Sequence, residues 1–217
     1  MQQATDDFNK REFWIHENLL YAQPNFRLEK CARLINGLMQ GRTYDLLDVG
    51  CGPAALRRLL DSRITYHGVD IAIHEPAPYL RELDIVQNPI AFEAKHFDVV
   101  VALGLFEYMG KQQDRKFGEI REILNADGRF IMSYINFRHY RRRIWPAYNN
   151  IQPIGDLLQS LAKVFRVERC FPVSHHWRHK QPGRNALPAV QMHLNWNIPL
   201  VSPWLAVEYF CVCTRRN

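Results

Sequence analysis

Along the first 40 residues the apolar positions recur at helical spacing. Phe8, Trp14, Ile15 and Leu19 fall along one side of residues 5–22, a helix that Thr5 or Asp6 can cap. Gln23-Pro24-Asn25 interrupts it, and Leu28, Cys31, Ala32, Ile35 and Leu38 then share a face over residues 26–39. From residue 44 the pattern changes to short apolar runs of strand type, at 44–49, 64–70, near 83–85, 97–102 and 129–134, and later at 167–171 and 206–213. Helical spacing returns at 54–61, 114–124 and 154–165, and Asn125-Ala126-Asp127-Gly128 reads as a turn. Pro76 and Pro78 discourage a full helix between the second and third strands. Five strands that alternate with helices, except at that shortened crossover, predict an α/β fold with a parallel sheet.

The first strand ends in Asp48-Val49-Gly50-Cys51-Gly52-Pro53, and the second ends in Asp70 about twenty residues further on. An acid closing a strand, followed by glycines that let a ligand approach the backbone, is how a nucleotide crevice is built in an open α/β sheet. A glycine pair alone also serves simply to pack a helix against a strand. The spacing of Asp70 suits a carboxylate that holds ribose hydroxyls. Leu103 to Met109 leaves the carboxyl end of the continuously apolar fourth strand, where such sheets bind ligands. There Glu107 and Tyr108 face a substrate, or Glu107 is paired within the helix that follows.

The runs LDVGCGPA, HGVDIA, ELDI, FDVVVALGLFEYM and LNADGRFIMSY, in this order over residues 44–135, resemble the class I S-adenosylmethionine-dependent methyltransferases. The resemblance implies a Rossmann-like doubly wound sheet, mostly parallel with an antiparallel last strand, and helices on both faces. It also implies S-adenosyl-L-methionine as cofactor and S-adenosyl-L-homocysteine as product. On that basis Asp48, Gly50, Cys51, Gly52, Asp70 and Ile71 contact the donor, Asp84 and Ile85 its adenine, and Ala102 and Leu103 its methionine portion. The N-terminal helices cap the pocket, with Trp14, Tyr21 and Phe26 candidates to close over the sulfonium and Arg27 to reach the donor carboxylate. Ala54 stands where the family often has a third glycine.

A chain of 217 residues with 47% hydrophobic content suits one domain. Its parts are an N-terminal helical cap (1–40), a cofactor core (44–135) and a C-terminal remainder (136–217). The absence of a spanning apolar run or signal-peptide core predicts a cytoplasmic protein. The five cysteines have no zinc-type spacing and read as reduced packing residues.

Charge is uneven. From Arg138 onward there are 12 basic residues against 3 acidic, whereas the rest is slightly acidic. Either that end meets an anion or its charges are simply solvated. Residues 172–205 separate the last two strands by far more than the usual hairpin loop of about 2 to 5 residues. The stretch contains no Asp or Glu, and reads as a substrate lid. These features point to a small acceptor, anionic or sugar-containing, gripped by Arg138 and Arg142 and stacked on Trp177, with Tyr108 nearby. His175, His176 and Glu107 are the candidate general bases. No metal is expected, because nothing near the histidines completes a first shell.

Two other readings stay open. The cluster Arg138 to Arg143 suits nucleic acid, although ALGLFEYM stands where a base-methylating enzyme would carry an NPPY-like tetrapeptide. A non-catalytic methyltransferase-like partner subunit is the other. Oligomeric state does not follow from spacing.

Overall fold

The computed structural model describes residues 11–17, 22–38, 41–90, 92, 96–140, 151–176, 191–193 and 196–216. Eight strands form one sheet: β1 (Tyr44–Val49), β2 (Ile64–Asp70), β3 (Leu80–Glu82), β4 (Phe97–Leu103), β5 (Leu124–Ile135), β6 (Phe165–His176), β7 (Gln191–Met192) and β8 (Ala206–Arg215). Their order is β3-β2-β1-β4-β5-β8-β6-β7. The pairs from β3 to β5 are parallel, while β8 runs antiparallel to both β5 and β6, and β7 antiparallel to β6. The chain reverses its winding between β1 and β4, which places a crevice at the carboxyl ends of those strands.

Strand alternation splits the core into two layers. Leu47, Val49, Val100, Ala102, Phe130 and Met132 face one side, and Leu46, Val99, Val101, Ile131 and Phe210 the other. Helices α3 (Gln113–Ile123) and α5 (Ile154–Ala162) cover the first layer through Phe117, Ile120, Leu157 and Leu161. Helix α2 (Phe26–Leu38) covers the second through Cys31, Ala32 and Ile35. Three short helices complete the description: α1 (Arg11–Glu17), α4 (Phe137–Tyr140) and α6 (Ser202–Leu205).

Several elements differ from the sequence expectation. Residues 54–61 form only a 3₁₀ turn, Ala55–Leu59, which Leu60 ends in an extended conformation. β3 stops at Glu82, so Asp84 and Ile85 lie beyond it. Asp84 Oδ1 accepts hydrogen bonds from the Val86 and Gln87 amides, and its carbonyl accepts one from Asn88, which makes Asp84 a turn-former. The expected turn at 125–128 is a bulge inside β5: pairing jumps from Phe97–Leu124 to Val99–Arg129, while Asn125 Nδ2 donates to Asp98 across the strands. β6 continues through Pro172 to His176, with register shifts on either side of Ser174. β7 then returns beside it, so residues 172–205 include strand and helix and are not one long loop. The crossover at 71–79 has no helix, as its prolines predict.

Candidate active site

The turn after β1 is held from beneath. The Gly50 and Cys51 amides donate to the Val69 carbonyl at 2.8 and 3.1 Å, and Gly50 and Gly52 take φ of 75° and 51°. A Cβ on Gly50 would lie 2.9 Å from Leu105 Cδ1, which would have to shift, while the positive φ is what requires glycine here. Asp70, at the end of β2, accepts from the Gly52 amide (2.8 Å) through Oδ2 and from the Ala72 amide (3.1 Å) through Oδ1. The carboxylate therefore fixes the turn that it flanks.

Asp48 is buried below this turn and accepts the Tyr66 hydroxyl at 2.8 Å. Burial pushes its carboxyl up to about 7, against the opposing effect of the Tyr66 hydrogen bond, and the neighbouring Asp70 charge adds to the rise. Across the crevice, Gly104 (φ 65°) donates its amide to Ser133 Oγ. A Cβ on Gly104 would come within 2.7 Å of Arg27 Nη1. Arg27, in the first turn of α2, pairs through that same nitrogen with Glu208 Oε1 of β8 at 3.2 Å.

Glu107 sits in the 3₁₀ turn Phe106–Tyr108 with 0% exposure. Its Oε1 accepts the Ile135 amide at 2.8 Å, and its Oε2 has no hydrogen-bond partner among the described residues. Burial raises its carboxyl to about 7. Trp14 of α1 meets the Tyr108 ring edge-on at 5.0 Å.

One cavity gathers these groups. It is lined by Trp14, Arg27, Asp48, Gly50, Cys51, Gly52, Asp70, Ile71, Asp84, Ile85, Leu103, Glu107 and Tyr108, with Gly104, Leu105, Met109 and Ile135 between them. Ala102 is not in the lining; it is packed in the core beneath. Phe26 does not line it either, and stacks on His193 at 3.6 Å.

His175 also lies elsewhere. It is buried on β6 with Nε2 2.8 Å from Ser202 Oγ, and burial, with Lys30 nearby, holds its pKa below the usual histidine value. His176 is on β6 opposite Gln191. Arg138 is exposed, its guanidinium 5.1 Å from the Trp204 ring, and does not line the cavity. Tyr21, Arg142 and Trp177 lie outside the described residues. No described residue of 172–205 reaches the lining, and no group of three or more His, Cys, Asp or Glu among the described residues is placed to hold a metal ion. No helix among the described residues is long and apolar enough to cross a membrane.

Two groups escaped sequence reasoning. Glu208 is 181 positions from Arg27, and its only signal was to be one of three acids in a basic tail. The Ile135 amide that holds Glu107 carries no sequence signal at all.

A family model described as a methyltransferase domain matches residues 22–168. The chain belongs to the class I S-adenosylmethionine-dependent methyltransferases. Solved structures agree with that fold. A methyltransferase from Clostridium acetobutylicum superposes with a TM-score of 0.62 at 12% identity, over 94% of this chain and 97% of its own. A TehB-like methyltransferase from Corynebacterium glutamicum gives 0.59 at 20% identity over 92% and 94%. The N-methyltransferase NodS from Bradyrhizobium japonicum, solved with S-adenosyl-L-homocysteine, gives 0.56 at 13% over 90% and 89%. No curated protein sequence matches.

The cofactor of this methyltransferase is S-adenosyl-L-methionine. The cavity fits such a group physically. It offers backbone without side chains at Gly50 and Gly52, an acid at the end of β2, and a cation in Arg27.

Proposed function

We propose that this methyltransferase moves the sulfonium methyl of S-adenosyl-L-methionine to an oxygen or nitrogen of a small acceptor. The observation that supports it is the convergence, on one sheet edge, of the glycine turn, Asp70, Asp84 and Glu107 around a single cavity. The donor brings a methyl already bound to a good leaving group, so the protein's task is alignment and proton handling, with alignment worth several kcal/mol or about 7 to 11 at best. Asp70, fixed by the Gly52 and Ala72 amides, holds the ribose hydroxyls. Asp84 and Ile85 flank the adenine. Arg27 meets the donor carboxylate, and Asp48 orients the donor amine or the turn. Trp14 and Tyr108 cover the reacting end and keep water out. Glu107, the one candidate base in the lining, takes the acceptor proton. An anionic or sugar portion of the acceptor extends toward the basic C-terminal part, where Arg138, Arg142 and Trp177 are the candidate contacts.

Calorimetry with S-adenosyl-L-homocysteine tests the donor placement. Asp70→Ala removes two hydrogen bonds to a charged group and the clamp on the turn, each bond worth about 1.5 to 3 kcal/mol. The expected loss of affinity is at least about a hundredfold. Binding equal to wild type by a folded Asp70→Ala protein overturns the placement.

A further inference from the structure

Among the described residues the lining of the cavity is acidic: Asp48, Asp70, Asp84 and Glu107 stand against one cation, Arg27, whose Nη1 already engages Glu208. Three of these acids have evident work within the fold. Asp48 takes the Tyr66 hydroxyl, Asp70 the Gly52 and Ala72 amides, and Asp84 the Val86 and Gln87 amides. Glu107 is different. It is wholly buried, Oε1 holds the Ile135 amide, and Oε2 has no hydrogen-bond partner among the described residues. A buried carboxylate oxygen left bare is costly unless something else reaches it. It lies beside Tyr108, with Trp14 edge-on, in a wall that also includes Met109 and Ile135.

Resting on the methyltransferase reading above, we infer that the acceptor presents an amine to Glu107 Oε2 and is methylated on that nitrogen. The chemistry separates this from the alternatives. An anionic reacting atom would be repelled by a carboxylate in so dry a setting. A hydroxyl oxygen keeps no positive charge once its proton is taken, so to it a fixed carboxylate is a proton acceptor without being a charge partner. A neutral amine, its ammonium proton having first gone to solvent, has a lone pair, and its nitrogen becomes positive as it reacts, which is where a fixed carboxylate helps most. Aromatic faces nearby favour the same charge.

In the step, an N–H of the amine donates to Oε2 while the lone pair faces the methyl carbon. The nitrogen–carbon bond forms as the carbon–sulfur bond breaks, and the pair of that bond stays on sulfur. One proton of the resulting methylammonium then passes to Glu107 and from there to solvent.

The experiment loads wild type and Glu107→Gln with S-adenosyl-L-homocysteine. Each is titrated with a library of small primary amines and their hydroxyl isosteres, and amines that bind are then incubated with S-adenosyl-L-methionine and analysed by mass. The glutamine keeps an acceptor for the Ile135 amide, and its binding of S-adenosyl-L-homocysteine reports an intact cavity. We expect at least one amine to bind wild type about tenfold or more above its alcohol and to gain a methyl on nitrogen. The variant should lose that margin while binding S-adenosyl-L-homocysteine within about twofold of wild type. Alcohols binding as well as amines overturn the inference, and so does a margin that survives in the variant. It also fails if the variant loses affinity for S-adenosyl-L-methionine but not for S-adenosyl-L-homocysteine, since Glu107 would then pair with the sulfonium. Wild type that binds no S-adenosyl-L-homocysteine defeats the donor placement itself, an outcome distinct from S-adenosyl-L-homocysteine binding without amine preference.

Discussion

Ala54 shows how much a single residue can carry in the cofactor turn. It takes φ 53° and ψ 32°, the left-handed region, although it has a side chain, and it is buried against the second core layer. That conformation costs a non-glycine residue roughly 1 to 2 kcal/mol. Replacing it with glycine relieves the strain, yet gives up one buried methyl, worth about 0.8 kcal/mol, and adds chain entropy of about 0.5 to 1 kcal/mol to the unfolded state. The terms nearly cancel. Ala54→Gly should therefore melt within about 2 °C of wild type. Ala54→Val has no such offset, because a β-branched residue at positive φ is a genuine outlier. It should melt at least about 4 °C lower and bind S-adenosyl-L-homocysteine more weakly, as differential scanning fluorimetry and calorimetry would register. A valine variant with unchanged melting and binding would mean that the turn does not need this conformation.

At the scale of elements, α1 matters because its Trp14 lines the cavity. Its described residues meet the rest of the fold through Trp14 on Tyr108 and Arg11 on Glu82 at 2.7 Å, among other contacts. The ion pair is exposed and contributes little. Trp14→Ala should thus free α1 without harming the core, lowering S-adenosyl-L-homocysteine affinity about tenfold, raising hydrogen exchange across residues 11–17, and leaving the melting temperature within about 2 °C. Unaltered affinity would remove α1 from the site. The same scale explains what the sequence could reveal. The buried parallel strands announced themselves as apolar runs, and Asp48, the glycines and Asp70 as interruptions at fixed spacing, because those signals are local. Three-residue β3 is too short to show a period, and the 3₁₀ turn at Ala55–Leu59 mimics a helix until Leu60 extends. The β5 bulge looked like a turn since Asn125 to Gly128 has turn chemistry, which pairing with Asp98 overrode. His175 is a candidate base by residue type alone, and the strand register that sets it against Ser202, outside the cavity lining, has no sequence signal. Arg27 with Glu208, and Glu107 with Ile135, join residues from distant segments, a fact that only the folded topology supplies.

For the molecule as a whole, folding puts two carboxyls into a place that resists their charge. Asp48 rises from 3.8 to about 7 and Glu107 from 4.5 to about 7, burial being the first cause of each. Between roughly pH 4 and 7 the folded chain then holds protons at these sites that the unfolded chain has lost, so their joint effect on stability is nil at low pH, worsens as pH rises, and levels off above 7. At about 1.4 kcal/mol per unit, each site costs on the order of 3 to 5 kcal/mol at pH 8, as an upper bound. Other groups titrate as well. Asp61, held down to about 2 by Arg63, gives the opposite slope in acid, and His175 and His193, lowered by burial, favour the folded state as they lose charge. The wild-type curve alone therefore does not isolate the pair, but a difference does. Asp48→Asn combined with Glu107→Gln should come nearest to wild type at about pH 3, exceed its denaturant midpoint increasingly up to about pH 7, and hold that margin to pH 8. If the two curves stay parallel, the carboxyls are not protonated in the fold. The same proton reservoir predicts a signature of the donor: the ammonium of S-adenosyl-L-homocysteine, set near Asp48, would draw that carboxyl back into its ionised form. Binding at pH 6.5 should then release protons, visible as a binding enthalpy that changes with the ionisation heat of the buffer, and Asp48→Asn should abolish most of that dependence. A buffer dependence that is the same in both proteins would separate the donor amine from Asp48.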